Sequence, residues 1–305
     1  MNLHNHRVLI TGANGFLGRA VRRQLDETTV TILAPGSAEL DLRNRYDVMD
    51  YFIEHKPSVV IHCAVQGGGI GWMKAHPVES GQDNYRMSIN LLEAAQKVGT
   101  DRFVGVSSAC IYPKHCPVPF AESEIWNGFP EPTNASYALS KRAMMELGRS
   151  YYLQHGMHTS FPILANLYGP GDHLDSTRAH VVADLMIRCS ASPEALVVWG
   201  TGTPTREFIY IDDAAQGVLA CLDAPPSAFI NIGTGVETRI LDLAKQVIVS
   251  HGIDIPLVLD KSKPDGQPRK VLDVRKAQKL LNWSAKIPLV QGLLQTAQWY
   301  RSQCV

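Results

Sequence analysis

The stretch Arg7-Val-Leu-Ile-Thr-Gly-Ala-Asn-Gly-Phe-Leu-Gly18 decides the fold. Its first half is a short apolar run of the kind that fills a buried strand, and a helical pattern begins near Phe16. Glycines at 12, 15 and 18 let the chain turn tightly, bring the backbone against a pyrophosphate and pack the helix close to the strand. The helix N-terminus then faces the phosphates. The spacing is GxxGxxG rather than GxGxxG, and its place between a strand and a helix gives it meaning.

Outward from this unit the rhythm repeats. Val30-Thr-Ile-Leu, Ser58-Val-Val-Ile-His, Phe103-Val-Gly-Val and His158-Thr-Ser-Phe-Pro-Ile-Leu are short runs separated by longer amphipathic stretches. Strand, crossover helix and strand in alternation predict an α/β fold with a doubly wound, Rossmann-like parallel sheet. After about residue 166 the pattern loosens, then resumes at Arg206-Glu-Phe-Ile-Tyr-Ile and Phe229-Ile-Asn-Ile-Gly. The expected organisation is a dinucleotide-binding domain over 1–165, rejoined by about 206–235, with a smaller interleaved substrate lobe from 166–205 and 236–305.

The 305 residues are 45% hydrophobic, enough for a large core, and the 29 basic and 29 acidic residues balance. Nothing in that balance points to nucleic acid or an anionic membrane. No apolar run reaches a membrane span, and the polar start Met1-Asn-Leu-His-Asn-His-Arg7 lacks a signal-peptide stretch, so a cytoplasmic protein is expected. Six cysteines (63, 110, 116, 189, 221 and 304) form no CxxC pair, so neither a metal site nor a disulfide framework is expected.

The end of the second strand, Leu33-Ala-Pro-Gly-Ser-Ala, carries neither the acid that meets the NAD ribose nor the arginine that meets the NADP phosphate. The missing acid leans toward NADP(H) and leaves NAD(H) open, with Ser37, Arg19 and Arg43 as phosphate contacts. Asp41 either meets the adenine edge or is a solvated loop acid. Further on, Tyr137 and Lys141 lie one helical turn apart on one face. An ammonium there is expected to lower the phenol pKa so that Tyr137 exchanges a proton with a carbonyl oxygen, assisted by Ser108 at the end of the fourth strand.

Thr11-Gly-x-x-Gly-x-x-Gly18, Ser108 four residues before Tyr112, and Tyr137-x-x-x-Lys141 resemble the extended short-chain dehydrogenase/reductases. The narrower resemblance, running nearly end to end, is to the GDP-L-fucose synthase family. It is carried by Gly68-Gly-Ile70, Cys110-Ile-Tyr-Pro-Lys114, Glu131-Pro-Thr-Asn134, Asn166-Leu-Tyr-Gly-Pro170, His180-Val, Val198-Trp-Gly-Thr-Gly, Arg206-Glu-Phe, Asp212-Asp, Asn231-Ile-Gly-Thr-Gly235 and Lys263-Pro-Asp-Gly-Gln-Pro-Arg-Lys270. The resemblance implies NADPH-dependent 3,5-epimerisation and 4-keto reduction of a GDP-4-keto-6-deoxy-hexose, by a homodimer.

A ketone at C4 acidifies the protons at C3 and C5, and inverting either centre needs one group to remove a proton and another to return it on the opposite face. The resemblance gives these roles to Cys110 and His180, alongside Ser108, Tyr137 and Lys141 for reduction. It implies cofactor contacts from Gly12, Asn14, Gly15, Phe16, Leu17, Gly18, Asp41, Leu42, Ala64, Lys141, Leu164, Asn166 and His180. For the nucleotide sugar, Asn166, Arg188, Trp199, Arg206, Asp265 and Arg269 are expected, the arginines because a guanidinium takes two phosphate oxygens at once. Leu164-Ala165 stands where the family has proline and threonine, and the loop Asp172-His-Leu-Asp-Ser-Thr-Arg178 also departs from the family form. Both changes point to another 4-keto sugar, such as a GDP-heptose, as the alternative substrate of a 4-reductase or epimerase.

Overall fold

The structure, a computed structural model, describes residues 3–26, 30–175, 179–191, 193–263 and 265–303. The opening run forms β1 (Arg7–Thr11) and the helical pattern α1 (Phe16–Asp26). There follow β2 (Thr31–Leu33), α2 (Arg45–His55), β3 (Val59–His62), α3 (Ile70–Ala75), α4 (Pro77–Val98), β4 (Arg102–Gly105), β5 (Ser107–Ser108), α5 (Ala135–His155) and β6 (Thr159–Leu164). The helices begin and end where local chemistry dictates. Asn44 caps α2 by accepting from the Tyr46 N–H, Pro77 opens α4, and Gly99 and Gly156 close α4 and α5 in the left-handed conformation.

The large sheet is parallel in the order β2-β1-β3-β4-β6-β11, with β5 also paired to β6 and β11 at Ala228–Ile232. The doubly wound parallel sheet expected from the sequence is therefore present. Its two faces are covered separately, as strand alternation requires. Val8 and Ile10 join a core with Leu17 and Val21 of α1, whereas Leu9 joins one with Phe52 of α2 and Leu91 and Leu92 of α4. The chain leaves β1 for β2 on one side and returns to β3 on the other. That reversal opens a crevice beyond the carboxyl ends of β1 and β3, where α/β folds bind ligands.

The second part contains β7 (Asn166–Tyr168), α6 (Val181–Ser190), β8 (Leu196–Trp199), β9 (Thr205–Arg206), β10 (Phe208–Tyr210), α7 (Ile211–Ala220), β12 (Thr238–Arg239), α8 (Ile240–His251), β13 (Leu257–Asp260), α9 (Arg275–Leu281) and α10 (Leu289–Gln303). It holds three small two-stranded sheets, β7 with β10, β9 with β12, and β8 with β13. The run Arg206–Ile211 is not one strand: it breaks at Glu207, whose side chain is buried to take backbone donors, and Ile211 already starts α7. Helix α7 packs against α1, and α9 against β11, where Lys276 Nζ donates to the Phe229 carbonyl at 2.7 Å. Among the described residues no helix is long and apolar enough to cross a membrane.

Candidate active site

Beyond the ends of β1 and β3 lies a cavity of about 420 Å³, lined by Gly12, Asn14, Gly15, Ser37, Asp41, Leu42, Arg43, Ala64 and their neighbours. Gly12 has φ +68°, and a Cβ there would lie 2.7 Å from the backbone N and Cα of Ala64. At Gly18 a Cβ would come within 2.0 Å of the Gly12 carbonyl oxygen, so this third glycine lets α1 seat against the turn. A side chain at either position would clash with backbone, so the turn stays bare beneath the first turn of α1. This is a fit for the pyrophosphate of a dinucleotide.

Charge in the cavity is arranged differently from the sequence expectation. Asp41 accepts from the Arg43 N–H at 3.0 Å, from Nε at 2.9 Å and from the guanidinium terminus at 2.9 Å. These bonds hold the Asp41 carboxyl below the usual range. Arg43 also reaches Asp83 at 3.5 Å and is the cation on the cavity wall. Arg19 is turned elsewhere: its guanidinium donates to the Asn14 carbonyl at 2.7 Å and to the Gly171 carbonyl. Of the other expected contacts, Phe16, Leu17 and Leu164 pack into the core, Leu164 in register beside Ser108.

The reactive cluster lies farther along the same edge of the sheet. Ser108 ends β5 and caps the turn Ala109–Ile111, its hydroxyl accepting from the Cys110 N–H at 3.3 Å. The first turns of α5 bring Tyr137 and Lys141 in from the other side. Lys141 is buried and donates to the Val106 carbonyl at 2.9 Å; burial pulls its pKa down to about 8 against the opposing charge of Cys63. The Tyr137 phenol moves upward, through burial and then the charge of Cys110, with a hydrogen bond from Ser108 opposing. The expected lowering of the Tyr137 pKa by Lys141 is therefore not realised. The ammonium is spent on a backbone carbonyl, and desolvation dominates, so Tyr137 stands as a protonated phenol at neutral pH.

Cys110 is half-buried with Lys270 Nζ 3.5 Å from its sulfur. Burial pushes the thiol up, but the Lys270 charge and hydrogen bonds from Ser108, Lys270 and Asn134 outweigh it, and the pKa ends below the ordinary thiol value. The Asn134 Oδ1 is buried with no partner among the described residues. His180 precedes α6; although open to solvent, it is hemmed in by protein, and burial, then His173 and Lys270, keep its pKa below the imidazole norm. Arg206 is half-buried nearby, donating to the Thr205 carbonyl at 2.7 Å and the Gln267 carbonyl at 2.6 Å. Burial lowers its pKa and the charge of Cys110 raises it. The other cysteines differ: Cys116 is buried in the core and burial pushes it up to about 12. Cys304 and Arg178 lie outside the described residues.

Two of the expected phosphate-binding arginines are already engaged. Arg188 pairs with Asp184 at 2.7 Å and donates to the Val197 carbonyl at 2.5 Å, and Arg269 grips Glu237 through bonds of 2.9 and 2.8 Å. Asp265 accepts from the Thr201 N–H at 2.6 Å and its hydroxyl at 2.9 Å, tying its loop to the turn after Trp199. Trp199 is exposed, with Lys263 Nζ 5.7 Å from its ring centre. Asn166 donates to the Glu207 carbonyl at 2.7 Å. Sequence reasoning gave no role to Lys270, Asn134 or Glu207. Lys270 and Asn134 closed stretches noticed only as resemblance, and nothing local pairs either with Cys110.

Comparisons with known proteins agree with this fold. A model of the NAD dependent epimerase/dehydratase family matches residues 8–233. The chain is 37% identical to "Probable GDP-L-fucose synthase 1" of Oryza sativa subsp. japonica, over 96% of this chain and 92% of that one. Among solved structures it is similar to a GDP-6-OMe-4-keto-L-xylo-heptose reductase from C. jejuni, with TM-score 0.92 and 25% identity over 99% of both chains. It is also similar to a GDP-L-fucose synthetase from Naegleria fowleri bound to NADP, with TM-score 0.88 and 26% identity over 100% of this chain and 96% of that one.

Proposed function

Since the chain belongs to the NAD dependent epimerase/dehydratase family, and within it to the GDP-L-fucose synthases, we propose that it carries out NADPH-dependent 3,5-epimerisation and 4-keto reduction of a GDP-4-keto-6-deoxy-hexose. The product is GDP-L-fucose or a close relative. The observation that carries this reading is the convergence of Cys110 and its cationic partner Lys270 on the Ser108–Tyr137 pair. A ketoreductase needs only the serine, tyrosine and lysine; a thiol held toward its anionic form beside them is the added requirement of proton removal next to a ketone.

The glycine turn and Arg43 would hold NADPH, which would supply the hydride for C4. Tyr137 holds the proton for the C4 oxygen, and Ser108 stabilises the charge developing on that oxygen. Cys110 as thiolate takes a proton from a carbon beside the ketone, and protonated His180 returns one on the opposite face. Arg206, whose side chain lies beside this cluster, is the cation for the nucleotide diphosphate; Arg188 and Arg269 join it by exchanging Asp184 and Glu237 for phosphate oxygens. Exposed Ile89 on α4 and Leu153 on α5, helices packed on each other, support a homodimer through these helices. We place the protein in the cytoplasm.

A second reading, reduction of a GDP-4-keto-heptose without epimerisation, is favoured by Leu164-Ala165 and by the likeness to the heptose reductase. Incubation with GDP-4-keto-6-deoxy-mannose in deuterated water, with and without NADPH, separates the two by NMR. Deuterium at C3 and C5 with NADPH consumption supports the first, and reduction without label supports the second. Tyr137→Phe is expected to abolish reduction while sparing exchange, and Cys110→Ala to suppress exchange first. Unchanged exchange and product stereochemistry in Cys110→Ala would remove the cysteine from the mechanism.

A further inference from the structure

Resting on the epimerase reading of this site, we propose that Lys270 is a positioning residue for proton transfer: its ammonium, 3.5 Å from Cys110 Sγ, holds the sulfur as a thiolate ready to accept a proton. Unlike Arg188 and Arg269, Lys270 is paired with no carboxylate among the described residues, and its hydrogen bond is to the sulfur. Its place is fixed by the chain around it. The Leu272 N–H donates to Glu207 Oε2 at 2.7 Å, the Phe120 N–H donates to the Val271 carbonyl at 2.8 Å, and Gln267 is tied to both Lys114 and Arg206. These bonds hold the backbone on both sides of the half-buried lysine and keep its stem within reach of the sulfur.

The groups facing Cys110 come from every neighbouring element: Ser108 from β5, Asn134 and Tyr137 from the start of α5, Arg206 from β9, and Lys270. Burial favours the neutral thiol, and the Lys270 charge is the largest influence opposing it. The same ammonium acts on His180, where it adds to burial and His173 in favouring the neutral imidazole. In the exchange step the thiolate takes a proton from carbon and becomes a thiol, the electron pair moves to the ketone oxygen, and imidazolium gives its proton to the other face. Activity then rises as Cys110 deprotonates and falls as His180 deprotonates. Because Lys270 lowers both values, removing it moves both limbs of the pH profile toward alkaline pH together. A residue that merely supported the loop would reduce the height of the profile without moving it.

The test is the pH dependence of Cys110 alkylation by iodoacetamide in the full-length protein, read by peptide mass spectrometry and needing no substrate. Wild type is expected to titrate below the ~8.5 of a free thiol. Lys270→Met is expected to shift the midpoint up by about one unit, leaving ~10-fold less thiolate at pH 7, and Lys270→Arg to retain the low midpoint. Lys270→Gln gives the same comparison if the methionine variant does not fold. A midpoint unmoved in Lys270→Met or Lys270→Gln overturns the proposal, as does a lone drop in deuterium exchange with both pH limbs in place. A wild-type protein that exchanges no deuterium yet shows the alkylation shift refutes the epimerase reading while supporting the role of Lys270 on the thiol.

Discussion

Replacing Glu207 is expected to destabilise the protein more than any surface change, by an amount that depends on what replaces it. The side chain is 1% exposed. One oxygen accepts from the Thr234 N–H at 2.5 Å, the Gly235 N–H at 2.7 Å and the Thr234 hydroxyl at 3.4 Å; the other accepts from the Leu272 N–H at 2.7 Å. At Gly233 a Cβ would lie 2.2 Å from the first oxygen, so the surrounding chain is shaped to the carboxylate. Glu207→Ala leaves three backbone donors without partners, each costing ~1–3 kcal/mol. Against that stands relief from burying a charge, a strain visible in the upward shift that burial imposes on the Glu207 pKa. The balance is a loss of about 3–6 kcal/mol. In Glu207→Gln the amide nitrogen must face an N–H donor on one side or the other, which costs about 2 kcal/mol. Urea unfolding is the assay: the midpoint should fall in the order wild type, glutamine, alanine, with the slope unchanged. Amide exchange at Thr234, Gly235 and Leu272 should rise in parallel. A glutamine variant within ~0.5 kcal/mol of wild type would refute the reasoning, because it would mean that the donors do not need an anionic acceptor.

Gly12→Ala puts a side chain into a left-handed residue and against the Ala64 backbone, so it should cost at least ~1–2 kcal/mol and abolish dinucleotide binding measurable by nicotinamide fluorescence. Arg43→Ala should weaken NADPH by roughly tenfold and leave NADH nearly unchanged in the same titration; equal weakening of both would take Arg43 off the 2′-phosphate. Asp172 is buried, and that burial raises its pKa to about 6 from an ordinary 3.8, against the His173 N–H, His173 and Arg19. A carboxyl raised on folding binds its proton more tightly in the folded state, so its stabilising contribution is present below pH 3.8 and lost as pH rises through 6. Asp172→Asn should therefore gain up to ~3 kcal/mol at pH 8 and almost nothing at about pH 3 in thermal or urea melts. A gain that is the same at both values would contradict this assignment.

What was legible in the sequence was whatever local spacing determines. The strand–glycine–helix unit at 7–18 is defined by neighbours, and so are the apolar runs of the parallel sheet and the single turn between Tyr137 and Lys141. What was not legible depends on segments far apart in the chain. Lys270 meets Cys110 across 160 positions, and Glu207 gathers donors from 234, 235 and 272. A sequence can offer Arg188 and Arg269 as phosphate cations, but not reveal that Asp184 and Glu237 already hold them. It can likewise place a lysine one turn from a tyrosine without disclosing that a backbone carbonyl takes the ammonium.

The late return of β11 to the large sheet bears on how this protein can be made. Every residue of β6 is buried, and one side of that strand is completed by β11, which is synthesised only after β7, α6, β8, β9, β10 and α7. Until then the nascent chain carries an unpaired apolar edge, the feature that invites strand addition from a neighbouring chain. Expression of residues 1–165 alone would make that condition permanent, so such a fragment should accumulate as aggregate, and slow elongation between residues 165 and 228 should lengthen its dependence on chaperones.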